Sequence, residues 1–591
     1  MKTRQNISAF ALLAMALACN VHVSAQNKKT DTSFYNEKVV VLGSYDPTLK
    51  NSDKINVAPA IVDTATMTPE YTYSIESQRI YTLYSPDAIK PARVVGEPAS
   101  RLYRNYLKLG FGNYCTPFAD LYYNSTRNKT LNYGARVYHK SSWWTLKDYG
   151  KDYFSNTIAD VFGKKIWAKN TLSANVFYTH DYNLYYGFQD TLFSSLYPAE
   201  NELQTSDYSQ YYHNFGLKAQ FKSNNTDVNQ FGYEANLAIT DLADKYSSNE
   251  FNLSLNADAH YGFAFWGTEK QMAGLKINLD YFKNSGDTTL FPMSNLAPLD
   301  PNAATNSHSG SSVLFGAQPY FSFKAFGFKM NIGLKFAYAN NEDKGFKIFP
   351  NIDLSQTLFN DILHLTFGLY GDYIHHSWQS LRNENPYIAP RCETRNSTYN
   401  QLFAEMKFNF TKKFDTRIGV SYTLYKNLNF FMLDTFYSLN NVYMTVYNDV
   451  NILNLNADIV YHYDEKISVG VRGDFFNYNL KGDGIKEAWY RPVWDAYLTV
   501  AYNLNSKFYA RLEGGFIGNR KAQNRIGSQW VEEDIKMKYG VNIDLEYRYS
   551  RALSFFADIN NVACQRYFIW TNYPSQRINF ILGATYTIPV K

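Results

Sequence analysis

Long hydrophobic runs are nearly missing from this 591-residue sequence. One apolar stretch, Ile7 to Ala18, follows the basic residues Lys2 and Arg4 and precedes the small-residue pattern Val23-Ser24-Ala25. That is the layout of a secretory signal, with residues 1–25 removed on export. No later window reaches the 18 or so continuous apolar residues that a spanning helix needs, which excludes a helical membrane protein. Cysteine is scarce too. Of four, Cys19 leaves with the signal, and Cys115, Cys392 and Cys564 are too few for a disulfide framework. The net charge of +5 is small and gives no reason to expect a nucleic-acid partner. The ten histidines are scattered, with only His375 and His376 adjacent. Adjacent side chains in a loop point apart, so no metal site is expected. Nucleophile elbows, phosphate loops and zinc-protease spacings do not occur, so neither catalytic residues nor a cofactor are expected and the chain does not read as an enzyme.

Aromatic residues are abundant instead: 51 tyrosines, 42 phenylalanines and 9 tryptophans. One core does not need so many, whereas a membrane β-barrel places them in girdles at both interfaces. The mean hydropathy of −0.39 is compatible with this class, because half of each barrel strand faces water.

Residues 26–100 form a first region in which Pro47, Pro59, Pro69, Pro86, Pro91 and Pro98 are spread along the chain. Each proline removes a backbone donor and pushes its predecessor out of the helical region, so an extended segment is expected. From residue 101 to 591 the pattern is period-two alternation. Phe328, Met330, Ile332, Leu334 and Phe336 interleave with Lys329, Asn331 and Lys335, and Tyr539, Val541, Ile543, Leu545 and Tyr547 with Asn542, Asp544 and Glu546. About 22 such segments can be counted, beginning near Tyr103 and ending with one near Arg577. Tight links such as Ala325-Phe326-Gly327 and Tyr549-Ser550-Arg551 alternate with long ones such as Asp181 to Gln210, Ser285 to Gly310 and His375 to Tyr399. Short turns on one rim and long loops on the other predict an all-β fold, a transmembrane antiparallel β-barrel in the outer membrane, with outer-membrane lipid against its exterior. Secreted propellers and sandwiches also alternate, but with shorter strands and a motif repeated per unit, which is not found here.

The stretch Phe555 to Ile588 resembles the last two strands of TonB-dependent outer-membrane receptors. It carries the Asn-rich turn Asn560-Asn561, the aromatic pair Tyr567-Phe568, Tyr573-Pro574 followed by Arg577, and the mid-strand Gly583. Near the front, Glu37, Lys38, Val39, Val40, Val41, Leu42 and Gly43 resemble the apolar TonB box that precedes the plug in that family. The resemblance implies 22 strands and, for Glu37 to Gly43, strand addition to the TonB coupling protein. Two other placements of Val39 to Leu42 stay open, pairing with the later segment Val57 to Val62 or lining the barrel wall. A family plug needs well over a hundred residues, and only about 60 lie between Gly43 and the first strand, so no complete plug domain is expected.

A 22-stranded lumen is wide enough to leak unless something fills it. The candidates are the front segment, inward-folded loops such as Ser285 to Gly310, or a separate protein. Inward charges of both signs suit a wet interior. Tyr182, Tyr185, Tyr186, Phe188, Trp143 and Trp144 read as part of the interfacial girdle. Cys115 follows the first strand and Cys564 precedes the last; these strands meet where the barrel closes, so a Cys115–Cys564 disulfide is expected to staple the seam. Two functions follow. One is a transport-type barrel moving or gating a solute that the sequence does not name. The other is a structural barrel subunit of an envelope assembly, with other envelope proteins as partners.

Overall fold

The computed structural model describes residues 103–589 apart from 126–127, 148, 150, 189–204, 207, 226–230, 265–270, 287–307, 341–344, 391, 412, 435–440, 483 and 527–528. The signal, the Pro-spaced region and the segment Glu37 to Gly43 lie outside the described residues. Twenty-two strands form one sheet in which every strand pairs antiparallel with its neighbour in sequence. The first, Tyr103–Gly112, also pairs with the last, Asn579–Pro589, which closes the barrel. Among the described residues no helix is long and apolar enough to cross a membrane; the crossing is made by strands.

The apolar face of each strand points outward. Along Phe328–Ala339, Ile332, Leu334, Phe336 and Tyr338 are exposed, while the alternate Lys335, Ala337 and Ala339 are buried inside. The same holds for Ile418, Val420, Tyr422 and Leu424 along Phe414–Leu433. Val161 is 62% exposed in mid-strand. A water-soluble fold could not tolerate this inversion repeated around its whole circumference, whereas hydrocarbon solvates it at no cost. The expected band is therefore present, and the interior is wet: Lys108 pairs with Asp558 at 3.2 Å, Arg136 with Asp120 at 2.9 Å and Lys335 with Asp372 at 2.6 Å.

Connections alternate in length as anticipated. Phe326 and Gly327 make a two-residue turn with φ of 53° and 80°, the doubly positive geometry that matches strand twist and that glycine adopts freely. At the seam Gly110 faces Gly583, and the ring of Phe556 occupies the space their side chains would fill; a Cβ on Gly583 would come within 2.5 Å of that ring. Lys108 Nζ sits 4.0 Å above the same ring, so one aromatic side chain packs the glycine pair and takes a cation–π contact.

The sixteenth strand, Tyr443–His462, pairs through Tyr443–Asn448 with Leu428–Leu433, beyond the bulge at Lys426 and Asn427. One expectation at this level is corrected. The Cys115–Cys564 bridge is not formed: both thiols are free and exposed, and Cys392 is free and buried. Cys564 follows the penultimate strand, Leu553–Asn560, and the last strand lies between that strand and the first. Cys564 stands in the connection leading into the last strand and Cys115 in the turn leaving the first, and the fold leaves the two thiols unjoined.

Candidate functional site

The long connection between His375 and Asn396 folds across the long-loop mouth of the barrel. Ser377 caps a short helix, Trp378–Glu384, by accepting from the Ser380 amide at 3.1 Å. The buried carboxylate of Glu250, on the eighth strand, accepts from the Trp378 amide at 2.5 Å and the Gln379 amide at 3.0 Å. An anion thus meets the free donors and positive dipole end of the helix. Arg382 pairs with Asp181 of the fifth strand at 2.8 Å and lies 4.4 Å over the Tyr212 ring. Glu384 pairs with Arg491 at 3.0 Å and accepts from Asn429 of the fifteenth strand at 3.1 Å. The helix is thereby tied to the fifth and eighth strands on one side and, on the other, to the end of the fifteenth strand and the connection that carries Arg491.

After the helix, Ile388 bridges to Tyr443, and Ala389 N–H donates to the Tyr443 carbonyl at 2.7 Å. Tyrosine hydroxyls then lock neighbouring loops together. Tyr185 donates to the Ile388 carbonyl at 2.9 Å, Tyr443 to the Thr571 carbonyl at 2.7 Å and Tyr186 to the Pro574 carbonyl at 3.1 Å. The Tyr387 and Tyr573 rings stack with centres 3.5 Å apart. Each of these three hydroxyls has a backbone acceptor, which is what allows the tyrosines to leave water. Burial pushes the Tyr387 and Tyr490 hydroxyls up to about 12 and the Cys392 thiol to about 12, so none ionises near neutrality. His376, buried beside His375 and Arg491, is held down at about 4 by burial first and by those two neighbours second.

A cavity of roughly 620 Å³ lies between this cap and the wall, lined among others by Lys140, Asp152, Asp181, Arg382, Tyr387 and Gln576. Burial raises Asp152 to about 6, against the opposing hydrogen bond from Gln576 at 2.8 Å. Lower in the lumen a second cavity of roughly 410 Å³ is lined by Glu234, Asp258, Lys276, Asp280, Lys335 and Asp372. Both are polar and mixed in sign. Among the described residues no group of three or more His, Cys, Asp and Glu side chains could hold a metal ion.

Of the residues singled out in sequence, Tyr185 and Phe188 are not girdle residues; both are buried in the cap, because the chain turns inward after Leu184. Trp143 and Trp144 remain exposed. Arg382, Glu384, Asp181, Glu250 and Arg491 carry no local signal in the sequence, since their partners are distant along the chain. The one available signal was the length of the His375–Tyr399 connection.

The sequence matches no protein-family model and no curated protein. The fold is similar to that of solved outer-membrane receptors. The siderophore receptor PirA from Acinetobacter baumannii superposes with a TM-score of 0.60 at 12% identity, covering 83% of this chain and 81% of that one. The ferric-catecholate import receptor Fiu from K12 E. coli gives 0.60 at 10% identity, covering 83% and 82%. The pyoverdine outer membrane receptor FpvA from Pseudomonas aeruginosa PAO1 gives 0.60 at 10% identity, covering 83% and 79%. With its lipid-facing exterior and closed ring of 22 strands, the chain is in fold a TonB-dependent-receptor-like barrel of the outer membrane.

Proposed function

We propose that this chain is a transport-type barrel that moves or gates a solute across the outer membrane, with the loop 376–395 as the barrier that must shift for passage. The reading rests on one observation above others: the loop 376–395 folds in over the mouth of the barrel and is held there by Arg382–Asp181 on the fifth strand and by Glu384–Arg491. The segment Glu37 to Gly43 supplies the coupling in this reading, adding as a strand to the TonB protein.

Conductance of the purified full chain in a planar bilayer tests the barrier. The native protein should be silent, and Arg382→Ala combined with Glu384→Ala should open conducting events. Open native channels, or a double variant that stays silent, would overturn the role of the loop. Binding of a peptide spanning Phe34 to Pro47 to the coupling protein tests the energy input. No binding, together with stable co-purification of other envelope proteins, would replace transport by a structural role in an envelope assembly.

A further inference from the structure

Four strands bring a row of polar side chains together on the outer surface of the barrel. His139 pairs across with Thr157, Thr157 with His180, and His180 with His213. Paired residues share a face, and so do residues two apart in a strand. Val137 and Phe215, two positions from His139 and His213, are exposed on the lipid side, so the three imidazoles point outward. They stand just beyond the last apolar row towards the long loops. The residues beyond them, Ser141, Ser155, Tyr182 and Tyr211, continue the polar and aromatic rim.

The imidazoles differ in what they already bind. His139 uses both ring nitrogens, Nδ1 with Thr157 Oγ1 at 2.8 Å and Nε2 with Ser141 Oγ at 3.2 Å. His213 uses Nδ1 alone, with the Tyr178 hydroxyl at 2.7 Å. Among the described residues, neither nitrogen of His180 nor Nε2 of His213 has a hydrogen-bond partner. The two rings lie 4.8 Å apart, centre to centre, at 77° to one another. Tyr211 packs against both, at 6.1 Å from His180 and 5.2 Å from His213.

We infer that His180 and His213 form a two-imidazole site for a divalent transition-metal ion of the Zn2+ class on the outer face of the barrel. The reasons are geometric and chemical. Directly opposed residues on antiparallel strands have β-carbons about 5 Å apart, close enough for both imidazoles to reach one ion. Nitrogen–metal bonds of about 2.0 Å at near-tetrahedral angles place two ring centres about 5 Å apart, close to the separation already present. Imidazole is a preferred ligand for Zn2+, Cu2+ and Ni2+. When His213 donates Nδ1–H to the Tyr178 oxygen, Nε2 is left bare, which is the outer-sphere arrangement that metal-binding histidines use. Tyr178 is then a positioning residue. With two protein ligands the remaining coordination positions take water.

Zn2+ titrated calorimetrically into the detergent-solubilised full chain tests the site, with Cu2+ electron paramagnetic resonance as the structural readout. His180→Asn and His213→Asn should each weaken binding at least tenfold, Tyr178→Phe about tenfold, and His139→Asn should leave it unchanged. The Cu2+ spectrum of the native chain should show two coupled nitrogens, falling to one in either single variant, while Tyr178→Phe keeps both. Equal affinity in the native chain and both histidine variants would overturn the site. So would a native spectrum with fewer than two nitrogens, a result that does not depend on any variant folding.

Discussion

The wall of the barrel and the cap over its mouth use the same residue types under opposite rules. Tyr422 in the wall is 43% exposed and faces lipid, whereas Tyr443 in the cap is 0% exposed. In the wall, burial is supplied by the membrane, so a side chain needs only to be apolar and to sit at an alternate position. In the cap, burial is supplied by other loops, so each hydroxyl, amide and charge must find a named partner or carry an unpaired polar group into a dry space. The wall is consequently tolerant of which apolar residue occupies a site and intolerant of charge. The cap is intolerant of losing one bond.

Leu334→Arg attacks the wall at mid-strand and should carry the largest penalty, about 3 kcal/mol in urea unfolding from lipid vesicles; a loss under about 1 kcal/mol would mean that this face does not meet hydrocarbon. Acidification attacks the cap. His376 is held near 4 in the fold against an ordinary 6.5, so the unfolded loop binds a proton that the folded loop refuses. Stability is therefore full above about 6.5 and falls as the pH drops towards 4, by about 2 kcal/mol at pH 4.5. Amide exchange in residues 376–395 should report the loss, and His376→Gln should reduce it. Asp152, raised to about 6, acts in the opposite sense: its charged form is disfavoured in the fold, so its contribution weakens as pH rises from about 4 to 6. Asp152→Asn should remove that slope, and an unchanged slope would show that another group carries it.

Arg382→Ala should loosen the cap by about 1.5 kcal/mol through the lost charged hydrogen bond to Asp181. Exchange in the loop should rise roughly tenfold, while the heat-modified electrophoretic band that reports the closed barrel stays in place. Tyr443→Phe, which removes only the hydroxyl bond to the Thr571 carbonyl, should cost about 1 kcal/mol. If either substitution unfolded the wall as well, the two regions would be one cooperative unit and the contrast between them would fail.

Much of the wall could be read from the residues alone. The count of 22 holds, and the segment expected near Tyr103 and the alternating run from Phe328 start as strands at those residues. The cap could not be read. Its ties join residues such as Asp181 to Arg382 and Glu250 to Trp378, and nothing local in either partner announces the other. One candidate filler, Ser285 to Gly310, falls mostly outside the described residues, while the loop that folds over the mouth reads in sequence only as a long connection. The expected disulfide failed for a related reason: adjacency of the first and last strands was right, but strand pairing does not fix where Cys564 stands within the connection 561–578.

By itself, the order of residues determined that this chain alternates lipid-facing and water-facing side chains through strands long enough to cross a membrane, because that requirement repeats every two residues and needs no knowledge of neighbours. Only the tertiary structure decided that a loop bars the opening, that Phe556 packs the glycines of the seam and that His180 comes to stand beside His213. Those outcomes depend on strand register and on where loops turn inward, and both are set by pairings between segments tens to hundreds of residues apart.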